Sequence, residues 1–241
     1  MRFLFIFLPV IMFTSQLFAQ PGITSSIKNS HLWRGGEVAD GVVITTDVYY
    51  ETANENFRFG FWGGANSTGD YKEFNNYINY THGGFSFTLV DTYNFSENAT
   101  YNNEEFFNYS PSQTGRFLDA TVEYEFGKKF PLSLTWATIV YGRDRDDENH
   151  HNRYSTFCSV SYALYNRGSW HIDANISSAF AIDDVHSANF YGQETGTVEV
   201  ALTVQYILSI NNYNIPVYTK AMWNPQSNEG FLELCAQVIT F

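Results

Sequence analysis

The sequence contains few charged residues, fewer basic than acidic ones, and almost no cysteine. Charged side chains make up 16% of the 241 residues, and 13 lysines and arginines stand against 25 acids. The formal net charge of −12 argues against nucleic acid as a partner, because phosphate binding needs clustered Lys and Arg. Two cysteines, Cys158 and Cys235, exclude a dense disulfide framework. We expect both thiols to be free, on strands that are not neighbours.

Long hydrophobic runs are also absent beyond residue 19, so no membrane helix of about 20 residues is expected there. The short apolar run Phe3–Phe13 follows Arg2 and is succeeded by Ala19. A basic residue, a short apolar core and a small residue at the end are typical of a secretory signal peptide. We therefore expect residues 1–19 to be removed on export and residues 20–241 to form one domain.

Aromatic residues, in contrast, are abundant, with 22 Phe, 17 Tyr and 5 Trp, and many lie in alternating patterns. In Thr197–Ser209 one parity is apolar and the other mainly polar, the apolar set being Val198, Val200, Leu202, Val204, Tyr206 and Leu208. This alternation predicts a strand with one apolar and one polar face. The stretch is long enough to cross a bilayer, which takes roughly 9–11 tilted residues.

Similar patterns along the chain predict twelve strands and no helix. They are Ile23–Arg34, Val42–Glu51, Phe57–Gly64, Glu73–Thr81, Phe85–Phe95, Phe117–Phe126, Leu132–Tyr141, Tyr154–Tyr165, Trp170–Ile182, Thr197–Ser209, Ile215–Trp223 and Phe231–Phe241. The links after even-numbered strands are short, whereas most links after odd-numbered strands are longer and rich in Gly, Asn and Asp. This sorting is typical of outer-membrane barrels.

The predicted fold is therefore all-β: an up-and-down antiparallel transmembrane β-barrel of about 12 strands in a bacterial outer membrane. Its apolar faces would contact outer-membrane lipid and lipopolysaccharide. A secreted soluble β protein is the alternative, since alternation alone does not distinguish a lipid-facing surface from a protein core. Loop sorting favours the barrel.

Aromatic residues at the strand ends predict two girdles at the membrane interfaces. The short-turn rim would carry Tyr50, Phe85, Phe126, Trp170 and Tyr206, and the long-loop rim would carry Trp33 and Trp223.

Two positions disturb the alternation. The C-terminal Phe241 is the kind of terminal aromatic residue that the barrel assembly machinery reads, which makes that machinery an expected partner. Its parity requires either a β-bulge in the last strand or an outward flip of Phe241 alone. Asp91 shares the parity of Phe87 and Leu89, and a bulge there would return it to the lumen.

The polar parity of the strands predicts a lumen in which acids outnumber bases. The expected lumen-lining residues are Lys28, Arg34, Asp47, Glu51, Arg58, Glu73, Asp119, Glu123, Glu125, His171, Asp173, Glu199 and Lys220. An acidic lumen favours a porin-like channel that passes small polar solutes and prefers cations. Two alternatives are an ion-paired filling that only satisfies the interior, and a non-conducting barrel whose long loops bind a ligand or partner.

Signals for catalysis and metal binding are weak. His171 and Asp173 share a strand face and a serine could complete a hydrolase-like set, but no motif fixes a nucleophile. We expect no enzyme activity and no cofactor. The loop Arg143–Asn152 offers carboxylates, His150 and His151, yet it lacks the spacing of a calcium loop. We expect a solvated loop rather than a metal site.

The first part of the chain resembles the TorF-type porin family. The segments that carry the resemblance are I-T-S-S-I-K-N-S-H-L-W-R-G-G (Ile23–Gly36), V-Y-Y-E (Val48–Glu51) and F-R-F-G-F-W-G-G (Phe57–Gly64). They are similar to the family's opening aromatic-Arg-Gly element and its strand pair ending in a Gly-x-Trp-like segment. Glu73–Tyr80 is similar to the family's acidic, Tyr-rich fourth strand.

This resemblance covers mainly the first 80 residues. It implies an outer-membrane barrel with a transport role, and the family has no catalytic residues to carry over. The motif positions Trp33, Arg34, Gly35 and Trp62 would either shape the rim of the barrel or bind a ligand.

Overall fold

The computed structural model describes residues 20–97, 99–211 and 213–240. Their regular elements are all strands: β1 Gln20–Lys28, β2 His31–Trp33, β3 Gly36–Ala39, β4 Val43–Glu51, β5 Phe57–Asn66, β6 Lys72–His82, β7 Phe85–Asn94, β8 Phe117–Glu125, β9 Leu132–Gly142, β10 Ser155–Arg167, β11 Trp170–Ala181, β12 Gly196–Ile210, β13 Tyr213–Asn224 and β14 Glu229–Thr240. Within these residues no helix is long and apolar enough to cross a membrane. The expected signal peptide, residues 1–19, and Phe241 lie outside them.

Twelve strands, β1 and β4 to β14, close into one antiparallel barrel. Each pairs with its neighbours in the chain order, and β1 completes the ring by pairing with β14 on one side and β4 on the other. Closure removes the exposed edges that an open sheet would present. The predicted all-β, twelve-stranded, up-and-down barrel is confirmed.

The outer surface of the barrel is apolar and the polar parity points into the lumen. On β12, Val200 and Leu202 remain 38% and 43% exposed, whereas the adjacent residue Glu199 is 3% exposed. Val200 lies in register with Ile176 on β11 and Trp223 on β13, and both of these are also exposed. An apolar outer band over a polar interior is the pattern of a membrane-spanning barrel.

The connections are sorted by length, as predicted. One end of the barrel, the short-turn end, carries residues 52–56, 83–84, 126–131, 168–169 and 211. The other, the long-loop end, carries residues 29–42, 67–71, 95–97, 99–116, 143–154, 182–195 and 225–228. At the short-turn end aromatic rings pair between strands, for example Trp170 with Tyr206 at 4.7 Å and Tyr50 with Phe59 at 5.5 Å between centroids. Trp223 lies on the outer surface near the long-loop end.

The prediction for the first strand is wrong at its C-terminal half. The barrel strand β1 ends at Lys28, and residues 31–39 form a separate two-stranded hairpin, β2–β3. At the break, the Asn29 side chain donates to Leu232 O (2.9 Å) and accepts from Leu234 N (2.5 Å) of the β14 backbone. We call residues 31–39 the plug hairpin, since they fold into the lumen.

The tip of the plug hairpin is a tight turn that requires a left-handed backbone. Arg34 and Gly35 have φ values of 44° and 88°, which is the two-residue turn that matches the twist of a hairpin. This turn takes Trp33 and Arg34 inside the barrel. Trp33 is therefore not part of the outer long-loop girdle, and the Trp-Arg-Gly motif does not shape the rim.

β-Bulges change the side-chain alternation in β14 and in β12. Ser25 and Ser26 of β1 pair with Ile239 and Gln237 of β14, so the last strand contains a bulge at Val238, which was one of its two expected alternatives. A second bulge between β11 and β12 leaves Val198 unpaired. Val198 is fully buried against interior residues. Its predicted place on the lipid face is wrong, because the bulge puts it on the same side as Glu199.

Asp91 stays on the outer face, because β7 pairs with β6 and β8 without a register shift. Its carboxylate accepts hydrogen bonds from Arg116 Nη1 (2.8 Å) and Tyr109 Oη (2.7 Å) of the following loop. No bulge is therefore needed to satisfy this acid. The loop covers it on the outside of the barrel.

The outward position of Val200 leads to a stability prediction. Val200→Arg places a charge at mid-strand on the lipid side and should destabilise the barrel in lipid by about 2–4 kcal/mol. Reversible urea unfolding in lipid vesicles measures this. Val200→Leu is the matched control and should change the stability little. An arginine variant as stable as the control would contradict the assignment of the outer face.

Candidate functional site: the barrel lumen

The plug hairpin crosses the lumen and is anchored to the wall formed by β12, β13 and β14. Two wall carboxylates accept backbone N–H groups of the hairpin: Glu233 from Leu32 and Glu199 from Gly35, each at 2.9 Å. Asn224 Nδ2 donates to Gly35 O at 2.8 Å. Buried carboxylates form strong hydrogen bonds with N–H donors, so these contacts fix the hairpin in place.

Arg34 anchors the tip to the opposite side of the lumen. Its guanidinium donates to both carboxylate oxygens of Asp119, with Nη1–Oδ2 2.5 Å and Nη2–Oδ1 2.9 Å, and to the Tyr191 hydroxyl at 2.7 Å. It also lies 4.8 Å from the Trp33 ring and 5.6 Å from the Phe157 ring. The bidentate ion pair neutralises the charge of Arg34, and the surrounding aromatic rings pack against its guanidinium.

Position 35 requires glycine for two reasons: its positive φ and its close approach to β12. A Cβ built on Gly35 would lie 2.5 Å from the carbonyl oxygen of Val198, closer than any side chain tolerates. The bulge that turns Val198 inward thus forms the surface against which the tip packs.

Further ion pairs involve the two acids that bind the plug hairpin. Glu199 pairs with Lys220 at 2.8 Å and Glu233 with Lys28 at 3.5 Å. Glu233 also accepts the Tyr218 hydroxyl at 2.5 Å. The two acids that hold the plug hairpin are therefore themselves compensated by lysines of the barrel wall.

Toward the short-turn end the lumen is less well neutralised. Arg58 pairs with Glu51 at 2.7 Å and His171 with Asp173 at 2.8 Å. Glu123 and Glu125, on β8, form no ion pair within the described residues. Of the thirteen predicted lumen residues, Lys28, Arg34, Asp47, Glu73 and Asp119 line a cavity inside the barrel, and Glu199 binds the plug hairpin and pairs with Lys220. The other six, Glu51, Arg58, Glu123, Glu125, His171 and Asp173, lie on strands of the barrel wall, and their role in lining a passage stays a prediction.

Glu233 and Arg143 are interior charges that the sequence analysis left out of this set. Glu233 alternates with Leu232 and Leu234, and this pattern could have identified it as an interior residue, but the unsettled register of the last strand prevented the assignment. Arg143 follows the last residue of β9 and was grouped with the charged loop. Its position could not be read from alternation, because the residue lies beyond the strand.

A cavity of about 570 Å³ lies between the plug hairpin and the wall formed by β4 to β8. Trp33, Trp62 and Phe117 give it an aromatic lining, and Asp47 and Arg143 are among the charged groups that face it. A second cavity of about 400 Å³ lies toward the short-turn end. Lys28, Asp47 and Trp62 contribute to both, so the two cavities adjoin beside the hairpin.

His31 on the plug hairpin packs at the junction of these cavities. Its ring stacks on Trp62 at 5.6 Å between centroids and lies 5.9 Å from Tyr71. Lys28 Nζ is 3.3 Å from His31 Nδ1. Burial, with a smaller contribution from the Lys28 charge, lowers the pKa of His31 to about 3. The ring is therefore neutral while the hairpin is in place.

Within the loop 143–152, the acidic residue Asp146 binds backbone groups of the same loop. The Asp146 carboxylate accepts the backbone N–H groups of His150 and His151 at 2.6 and 3.1 Å. The described residues contain no group of three or more His, Cys, Asp or Glu arranged to hold a metal ion. Cys158 on β10 and Cys235 on β14 are free thiols, as predicted.

Comparisons with known proteins do not assign the chain to a family. No protein-family model matches the chain, and no curated protein matches it. A solved structure described as "Bacterial polysaccharide outer membrane secretin" is similar, with a TM-score of 0.43 and 10% sequence identity over 91% of this chain and 96% of that chain. A similarity at this level carries no information on function.

The anchoring of Arg34 leads to a prediction about the plug hairpin. Arg34→Met leaves the Asp119 carboxylate buried without its partner, which typically costs about 3–5 kcal/mol. We expect faster hydrogen exchange across residues 31–39, measured by mass spectrometry in detergent. Arg58→Met removes a more exposed lumen pair and is the control, with an expected cost of about 0–1 kcal/mol. Equal protection in both variants would disprove the anchoring role.

His31 leads to a pH prediction. The pKa of His31 is lower in the packed hairpin than the value of about 6.5 expected when it is released, so protonation favours release. The hairpin should lose about 1.4 kcal/mol of stability per pH unit below pH 6.5, until the folded pKa is approached. Acrylamide quenching of tryptophan fluorescence should increase between pH 7 and pH 5.

The control for this titration is His31→Gln, which is neutral at both pH values but retains the nearby acids and Lys28. The increase in quenching should be smaller in this variant. If it is as large as in the natural chain, the carboxylates that bind the hairpin, rather than His31, are responsible.

Proposed function

We propose that the protein is a porin-like barrel of the bacterial outer membrane in which the plug hairpin restricts the passage of small polar solutes. The observation that carries this proposal is the anchoring of the hairpin across the lumen by Glu199 and Glu233 on one side and Asp119 on the other. Twelve strands enclose more space than eight, whose interior side chains fill it, and less than the sixteen or more of water-filled porins. An inward hairpin occupies this intermediate space.

Cation preference is part of the proposal. Glu123 and Glu125 face the lumen near the short-turn end without ion-pair partners in the described part of the chain. Unpaired acids in a narrow passage attract cations and repel anions. The expected signal peptide and the TorF-type resemblance agree with export to the outer membrane and a transport role.

A non-conducting barrel that binds a ligand is the second candidate function. The anchored hairpin and the 570 Å³ cavity beside it favour this alternative, because a static plug would leave a binding chamber rather than a passage. The absence of enzyme activity stays a prediction for both candidates.

Conductance in planar bilayers separates the two candidates. We expect the natural chain to show small or infrequent steps, and a variant lacking residues 31–39 to show larger, cation-selective steps. In that variant residues 29, 30 and 40–42 remain as a short turn between β1 and β4, which already pair at Lys28 and Val43. If both proteins insert but stay silent, the barrel does not conduct and the second candidate is favoured.

A pair of point variants tests the same anchor without shortening the chain. Glu199→Gln with Glu233→Gln weakens the hydrogen bonds to the hairpin and should increase the open probability. Glu55→Gln with Glu148→Gln removes the same charge from exposed sites and should leave conductance unchanged. An equal effect of both pairs would indicate a general charge effect rather than release of the hairpin.

A further inference from the structure

The cavity beside the plug hairpin is lined by acidic and basic side chains that do not all have an ion-pair partner. Six such side chains line it, and three of them are paired inside the barrel: Lys28 with Glu233, and Arg34 with Asp119. Asp47, Glu73 and Arg143 have no ion-pair partner within 4 Å among the described residues. Buried charges without partners are costly, so their presence around one cavity indicates a ligand.

Arg143 is the uncompensated cation. Its guanidinium lies 3.7 Å from the Tyr101 ring centroid and 5.1 Å from that of Phe190, and its Nε is buried without a hydrogen-bond partner. Burial lowers the pKa of Arg143. A planar guanidinium that packs against aromatic rings and has its Nε–H donor unused is suited to a carboxylate.

The two uncompensated acids lie on the β4–β6 wall of the same cavity. Asp47, Trp62 and Asn75 are in register on β4, β5 and β6, which places an indole between a carboxylate and an amide. Asp47 accepts one hydrogen bond, from Tyr77. Glu73 accepts hydrogen bonds from the amides of Asn75 and Asn94. Neutral donors orient these two acids, and neither has a cationic partner within 4 Å among the described residues, so a cation can be added at this wall.

We propose that this cavity binds a small zwitterion, an α-amino acid or a short peptide. Its carboxylate contacts Arg143, its ammonium group lies at the Asp47 and Glu73 wall, and its apolar side chain packs on Trp33 and Trp62. A volume of about 570 Å³ is within the range of small-molecule sites, about 300–1,000 Å³. This inference rests on the proposal that small polar solutes enter the lumen, but not on their passage through it.

Binding can be measured in detergent through tryptophan fluorescence, because Trp33 and Trp62 line the cavity. The probes are phenylalanine and the dipeptide Ala-Phe, with their N-acetylated forms, which lack the ammonium, and their amides, which lack the carboxylate. We expect saturable binding of the free zwitterions and affinities about tenfold or more weaker for each blocked form, since one charge-assisted contact is lost. No saturable response, or equal affinity for blocked and free forms, would overturn the proposal.

Variants assign each end of the ligand through changes in selectivity rather than through loss of binding. Arg143→Gln should abolish the preference for a free carboxylate over an amide while retaining the preference for a free amine. Asp47→Asn with Glu73→Gln should do the reverse. Arg167→Gln, an exposed arginine beside the short turn, is the control and should retain both preferences. Selectivity that survives in both lumen variants would overturn the assigned contacts.

The bilayer experiment and the binding experiment test the two proposals independently. Binding without conductance in any variant would overturn the channel proposal and leave the zwitterion site standing. Conductance through the variant that lacks the plug hairpin, with no binding to the natural chain, would overturn the site and leave the channel standing.

Discussion

The space inside a closed sheet of twelve strands is the constraint on which the rest of this structure depends. The wall side chains alone do not fill a lumen of this width, and an apolar filling would conflict with the polar parity of the strands. The plug hairpin solves both problems by bringing backbone N–H donors and one arginine into contact with Glu199, Glu233 and Asp119. Carboxylates that would be costly when buried alone become anchors.

The position of the hairpin is asymmetric, and this asymmetry defines the functional part of the lumen. It packs on β12 to β14, where charges are paired by Lys28 and Lys220, and leaves open space along β4 to β8. On that side Asp47 and Arg143 face the cavity without ionic partners in the described chain. The same element thus occupies part of the lumen and forms one wall of the proposed binding site.

The outer face shows how an ion pair is tolerated near a lipid-facing surface. Arg116 pairs with Asp91 at 2.8 Å, and the guanidinium lies 4.3 Å from the Phe106 ring and 4.6 Å from the Tyr93 ring. The loop after β7 folds over these charges and covers them, while Phe107 at its outer side remains 83% exposed. An apolar cover over a satisfied ion pair costs far less than a bare acid in hydrocarbon.

Alternation and loop length in the sequence were sufficient to determine the barrel. Eleven of the twelve predicted barrel strands lie within a few residues of their observed bounds, because side-chain parity is a local property that lipid contact imposes on every spanning strand. Parity also predicted five of the side chains that line the main cavity: Lys28, Arg34, Asp47, Glu73 and Asp119. The sequence thus determined the architecture and the outer face of the barrel.

Only the tertiary structure decided what these interior charges contact. Arg34 meets Asp119 across 85 positions of sequence, and Gly35 meets Glu199 across 164, so no local pattern connects them. At the break after Lys28, Asn29 bonds to β14, and the inward turn of Val198 depends on a bulge against β11. Long-range pairing and register are properties of the closed sheet. Because of this pairing and register, the Trp-Arg-Gly motif, which was predicted to lie in the first strand, lies in a hairpin inside the lumen.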